Sequence, residues 1–123
     1  MINEDFCSFE IAKLLEEKGF NISLNSKDWL CCMYDENGNI HWGIYDKNWY
    51  FRITHQMAMK WLREEHNIFI QISAVLQDQP FGLYYRPSIQ DYHAYARHDN
   101  FSEYVTYEEA VEAALKYCLE NLI

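Results

Sequence analysis

Residues 49–67 read W-Y-F-R-I-T-H-Q-M-A-M-K-W-L-R-E-E-H-N. The first five are dominated by aromatic and β-branched side chains, which predicts a strand, and the next twelve place Met57, Ala58, Trp61 and Leu62 at helical spacing. A strand feeding a helix with almost no loop is therefore expected here. Thr54 stands at the junction, where its hydroxyl can accept a hydrogen bond from a free N–H of the helix's first turn. Trp61 and Leu62 are expected in the core. His55, in the first turn, is expected to face solvent, and His66 to sit favourably at the negative end of the helix dipole.

Working outward toward the N-terminus, Asn37-Gly38 lies inside 29–45 and predicts a hairpin with a two-residue type I′ turn. That register sets Glu36 opposite Asn39, so Cys31 and Met33 share a face with Ile40, Trp42 and Ile44, the better core candidate. Before it, a helix opens at Ser8 with Ile11, Leu14 and Leu15 inward and stops at Gly19, and a short strand is expected over 20–24.

Toward the C-terminus, Ile68, Ile70 and Ile72 alternate with Phe69, Gln71 and Ser73, a strand followed by a turn at 77–80. A strand over 81–86 closed by Pro87-Ser88 and another over 91–98 follow. The last helix carries the strongest start signal in the chain, Thr106 with Glu109 three residues on, a capping box. Its apolar stripe is Ala110, Val111, Ala114, Leu115, Cys118 and Leu122. All three helix starts pair a hydroxyl residue (Ser8, Thr54, Thr106) with an alanine four positions later (Ala12, Ala58, Ala110), so a helix–strand–strand–strand duplication and a coincidence of capping chemistry both account for the pattern. The expected fold is α+β: a single domain over 1–123, with a mostly antiparallel sheet of five to seven strands and three helices packed mainly on one face.

The chain of 123 residues is half apolar and 17% aromatic, enough to bury a core without disulfides or metal. Ten basic against nineteen acidic residues leave a formal charge of −9, which repels phosphate backbones and anionic lipid. No nucleic-acid or membrane partner is expected; the charge fits a protein partner of basic character, or simply solubility. The first ten residues carry acids and no apolar run, and no long apolar run follows, so a cytoplasmic protein is expected. Cys7, Cys31, Cys32 and Cys118 follow no C-x-x-C spacing and read as reduced, buried thiols.

Chemistry has few handholds. The 91–99 run D-Y-H-A-Y-A-R-H-D gathers Asp91, His93, His98 and Asp99, but in a regular strand His93 and His98 point to opposite faces, so neither a metal nor a cofactor is expected there. Glu16-Glu17, Glu64-Glu65 and Glu108-Glu109 sit on helices, where neighbouring side chains diverge. No nucleophile with a positioned base and no glycine-rich phosphate loop can be identified. Tyrosine is the unusual residue, ten in all. Tyr84, Tyr85, Tyr92 and Tyr95, with Arg86 and Arg97, form a candidate partner-binding or dimer surface, because tyrosine buries much area while keeping a polar tip. Alternating tyrosines are also ordinary formers of a half-buried sheet.

The run I-T-H-Q-M-A-M-K-W-L-R-E-E-H-N-I and the ending Y-E-E-A-V-E-A-A-L-K-Y-C-L-E-N-L resemble a group of small proteins carried by prophages and mobile elements of anaerobic gut bacteria. In that group a threonine-capped helix with W-L-R-E is followed by strands and a final E-E-A helix. The likeness runs from about Ile53 onward and departs from the commoner pattern in having Ile53 rather than proline before Thr54. It implies a compact accessory protein of phage or mobile-element origin and carries over no catalytic residue. The expected function is a non-enzymatic module that binds a protein, with homodimerisation among the expected assemblies. A small-molecule or metal-dependent enzyme using the 91–99 segment, in which His93 or His98 meets another carboxylate or a histidine such as His41, and an acidic mimic of DNA are the other two readings.

Overall fold

A computed structural model describes residues 5–20, 30–44, 46–78 and 81–123. The chain divides into two compact units, Met1–Thr54 and His55–Ile123. The strand expected over 20–24 lies outside the described residues but for Phe20, and of the turn expected over 77–80, Gln77 and Asp78 are instead paired strand residues while 79–80 lie outside.

In the first unit α1 (Phe9–Glu17) precedes three antiparallel strands, β1 (Leu30–Tyr34), β2 (Ile40–Ile44) and β3 (Tyr50–Phe51), in the order β2-β1-β3. Ser8 caps α1 as expected, its hydroxyl accepting from the Ile11 N–H at 3.3 Å. Gly19 just beyond the helix takes a positive φ. Ile11, Ala12 and Leu15 from α1 are buried, as are Cys7, Met33, Tyr34 and Ile53. Tyr34 secures the N-terminal segment by donating its hydroxyl to the Cys7 carbonyl at 2.6 Å. The same segment pairs Phe6 with Thr54 and donates the Cys7 N–H to the Ile53 carbonyl.

The hairpin register differs from the expected one by a single residue. Tyr34 pairs with Ile40 and Cys32 with Trp42, so Met33 lies across from His41 instead of sharing a face with Trp42. Trp42 is consequently 74% exposed and Ile40 is exposed, not core. The cause is the loop. Gly38 donates to the Asp35 carbonyl, Asp35 to the Asn39 carbonyl, and Gly38 takes the positive φ, which is a three-residue turn with a glycine bulge in place of the type I′ turn. A one-residue slip exchanges the two faces of a strand. Gly38 is doubly constrained, since φ is +86° and an added Cβ would stand 3.0 Å from Cδ2 of Phe9. Gly38→Ala is expected to cost about 1–2 kcal/mol in urea unfolding. Gly43→Ala, with open space among the described residues, is the control and should leave the midpoint near the parent value.

The second unit contains α2 (His55–His66), β4 (Ile68–Asp78), β5 (Phe81–Asp91), β6 (Ala96–His98) and α3 (Tyr107–Asn121), with its strands in simple meander order. In place of the expected single sheet of five to seven strands, the described residues form two antiparallel sheets of three. The two units repeat the helix-then-three-strands order, but the strand orders differ, so the likeness of the helix starts does not extend to topology.

Strand β5 runs on through Pro87 where a stop was expected. Tyr85 exchanges both backbone hydrogen bonds with Tyr104, at 2.8 Å each. In an antiparallel ladder this directs the N–H positions of 85, 87 and 89 toward the third-strand side. Proline at 87 therefore removes no bond to β4. Thr106 caps α3 as predicted, accepting from the Glu109 N–H at 3.1 Å. The buried stripe of α3 is Ala110, Val111, Ala114, Leu115, Cys118 and Leu119, the last replacing Leu122.

Within this unit the buried residues Ile68, Pro87, Ile89 and Asp91 share one face of the sheet, with Ile70 and Ile72 between them. Helices α2 and α3 pack on that face; His98, opposite Ile89, bonds to Tyr117 of α3 at 3.2 Å. Helix α2 buries His55, Ala58, Met59 and Leu62, while Met57 is exposed and Trp61 only half-buried. His55 is a correction to the expected solvent-facing position. It is 5% exposed and meets Oε1 of Glu112 on α3 at 3.2 Å through Nε2, while Nδ1 has no hydrogen-bond partner among the described residues.

Candidate functional site

The opposite face of the second sheet carries no helix of its own unit. Across the three strands Phe69, Gln90 and Arg97 stand in one row, because Phe69 pairs with Gln90 and Gln90 with Arg97. Beyond the row, 91–98 does not continue as the expected strand. Residues 92–95 turn back, held by the Asp91 carboxylate, whose Oδ1 accepts from the N–H groups of His93 (3.1 Å) and Ala94 (3.2 Å). The turn carries Tyr92 and Tyr95 to the end of the open face. Tyr95 is 94% exposed and adopts φ +55°, a left-handed conformation that is costly for a bulky side chain.

Two adjoining recesses meet at Gln90 and Tyr92. One, of about 670 Å³, is lined by Asn67, Phe69, Ile70 and Gln71, and the other, of about 310 Å³, by Asp91, Tyr95, Ala96 and Arg97. The Tyr92 ring meets Phe69 edge-on at 5.2 Å, and its hydroxyl donates to Oε1 of Gln90, so the wall between the recesses is fixed from both sides. Arg97 lies 3.4 Å from Asp99 in an exposed ion pair. Such pairs contribute less than about 1 kcal/mol, so the guanidinium is free to exchange its partner.

Of the six residues expected at a partner surface, Tyr92, Tyr95 and Arg97 come together here. The other three do not. Tyr84 and Arg86 lie on the same face but toward the far end of the hairpin, opposite Val75 and Ser73, and Arg86 is held by Glu103. Tyr85 is on the helix-covered face with its ring edge-on to Tyr107 at 6.0 Å. Sequence reading missed Phe69 and Gln90. Phe69 had a signal, since it falls in the phase of Gln71 and Ser73, where a solvent-facing polar residue is the rule.

The histidines of the 91–99 run are separated. His98 is engaged by Tyr117, while His93 lines a small recess of about 140 Å³ with Glu65, His66 and Asp91. Among the described residues no group of three His, Cys, Asp or Glu side chains is placed to hold a metal ion. Asp91 is buried and occupied by its turn, and its charge, after burial, helps push the Cys118 thiol up to about 12.

A second polar cluster belongs to the first unit. Oδ2 of Asp35 lies 2.7 Å from Nε2 of His41, whose ring stacks on Trp49 at 4.5 Å, and the Trp49 indole donates to Glu36 at 3.0 Å. Oδ1 of Asp35 accepts from the N–H groups of Asn37 and Asn39, both at 2.9 Å. These bonds hold the Asp35 carboxyl at about 2, the His41 contact contributing most, against burial. The cluster closes the hairpin turn. No nucleophile accompanies it among these contacts.

No helix among the described residues is long and apolar enough to cross a membrane. No family model, curated protein or solved structure matches the chain.

Proposed function

We propose that this chain is a non-enzymatic accessory protein that binds a protein partner on the open face of its second sheet, in the cleft formed by Phe69, Gln90, Tyr92, Tyr95 and Arg97. The observation that carries the reading is Tyr95. An aromatic side chain almost wholly in solvent, on a backbone conformation it disfavours, gains nothing from the fold around it, and beside Tyr92 and Phe69 it makes an aromatic edge of the kind that anchors interfaces. The recesses on either side of Tyr92 accept apolar side chains of an extended segment, while Gln90, Asn67 and Arg97 supply amide and guanidinium groups for its backbone. The charge of −9 steers a partner of basic character toward the surface. A cytoplasmic accessory role of phage or mobile-element origin belongs to the same proposal.

The test is affinity capture from the native host, followed by titration of the captured partner. The Tyr92→Ala/Tyr95→Ala variant should weaken binding by about 30-fold or more, as expected when two aromatic anchors are truncated. Tyr84→Ala, on the same face but away from the cleft, should bind as the parent does. Equal affinity for the parent and the double variant would exclude the cleft as the contact.

A further inference from the structure

Strand β4 lies at the edge of its sheet, and among the described residues nothing pairs with its outer side. Natural edge strands are protected by charge, proline, bulges or brevity. Over residues 68–77 this one has none of these. It pairs with β5 over an unbroken register from Ile68 to Asp78, contains no proline or lysine, and bears its single charge at the last position. The Tyr92 N–H donates to the Asn67 carbonyl, so the alternation of the ladder turns the odd positions of β4 toward β5. The backbone groups of Ile68, Ile70, Ile72, Ala74 and Leu76 therefore point outward.

We infer that this edge is the contact of a two-fold dimer, in which β4 pairs antiparallel with the β4 of a second copy of the chain, centred on Ile72. The sequence I-F-I-Q-I-S-A-V-L is self-complementary about that residue. Ile72 meets Ile72 of the second copy, Ile70 meets Ala74, and Ile68 meets Leu76, all on the helix-covered face. Gln71 meets Ser73 and Phe69 meets Val75 on the open face. Apolar residues thus face apolar ones and polar face polar at every position, and the outward groups of the two strands form about ten backbone hydrogen bonds, as many as a stable interface carries.

Two further observations select a second copy as the occupant. Copies that each carry −9 repel least where the contact itself is uncharged, and residues 68–77 carry no charge, with Asp78 falling beyond the paired stretch. Beyond the reach of the helices the covered face also exposes Leu76 (67%) and Phe81 (78%), with Leu83 opposite Leu76. Pairing brings Ile68 of the second copy beside Leu76. The product is one six-stranded sheet with both aromatic clefts on the same face.

Light scattering or sedimentation across a concentration series should give twice the chain mass, falling to the monomer on dilution. Ala74→Pro deletes an outward N–H and no bond to β5, and Leu76→Lys places a charge in the contact. Each should yield a monomer with the parent's circular dichroism. Ile72→Cys should form a 72–72 disulfide between copies on oxidation, identified by mass spectrometry of the linked peptide. Hydrogen exchange of the parent needs no variant, and the amides of Ile70, Ile72, Ala74 and Leu76 should gain protection as concentration rises. A monomer at all concentrations, a dimer that persists in the folded variants, or a dimer whose β4 amides gain no protection would each overturn the inference. Because these readouts need no outside partner, their failure is distinct from failure of the cleft.

Discussion

Leu62→Ala is expected to lower the unfolding free energy by about 2–5 kcal/mol, with Trp61→Ala costing about half as much despite the larger side chain removed. Leu62 is wholly buried on the α2 stripe that begins at His55, so truncation leaves a cavity among packed neighbours. Trp61 is half-buried with one edge toward His66, at 4.8 Å, and the space it vacates opens partly to solvent. Only the area removed from water contributes to the hydrophobic gain. Urea titration of both variants decides the matter. A tryptophan variant that proves the less stable of the two would place Trp61 in the core and rotate α2 from its position here.

Asp35→Ala is expected to lower the unfolding midpoint and speed exchange of the Asn37 and Asn39 amides, because one carboxylate satisfies both of them and also holds the His41 ring. The effect carries a pH signature. With the folded carboxyl held at about 2, below the ordinary carboxylate value, its contribution is fully present above about pH 4 and is lost as pH falls through 2. An acid titration of stability should therefore steepen between about pH 4 and 2 in the parent and be flatter there in Asp35→Asn. Identical acid limbs would show that Asp35 does not pin the turn.

Local chemistry was legible wherever a few neighbouring residues carry the whole instruction. Ser8 and Thr106 cap their helices because each hydroxyl needs only an N–H three residues away. The alternation of Ile68, Ile70 and Ile72 places these three on one face because a strand's period is two. Three of the five cleft residues were legible in the same sense. Tyr92, Tyr95 and Arg97 were marked by residue type, but their convergence depends on the Asp91 turn, and an alternating 91–98 pattern conceals that turn. The grouping of Tyr84, Tyr85 and Arg86 with them followed from nearness in sequence, which an extended eleven-residue strand converts into distance along the sheet.

The sequence by itself determined the α+β class, the helix starts, the apolar stripe of α3 apart from its last member and an uncharged run at 68–77, since each rests on periodicity or on contacts a few residues apart. Tertiary structure decided the rest. It divided the six strands of the described residues between two sheets, shifted the first hairpin by one residue through the three-residue turn at 36–38, and turned α2 so that His55 is buried against Glu112. Each of these choices sets groups distant in sequence, or two locally acceptable turns, against one another. Local patterns leave such alternatives nearly equal, and the burial and hydrogen bonds completed only in the folded unit separate them.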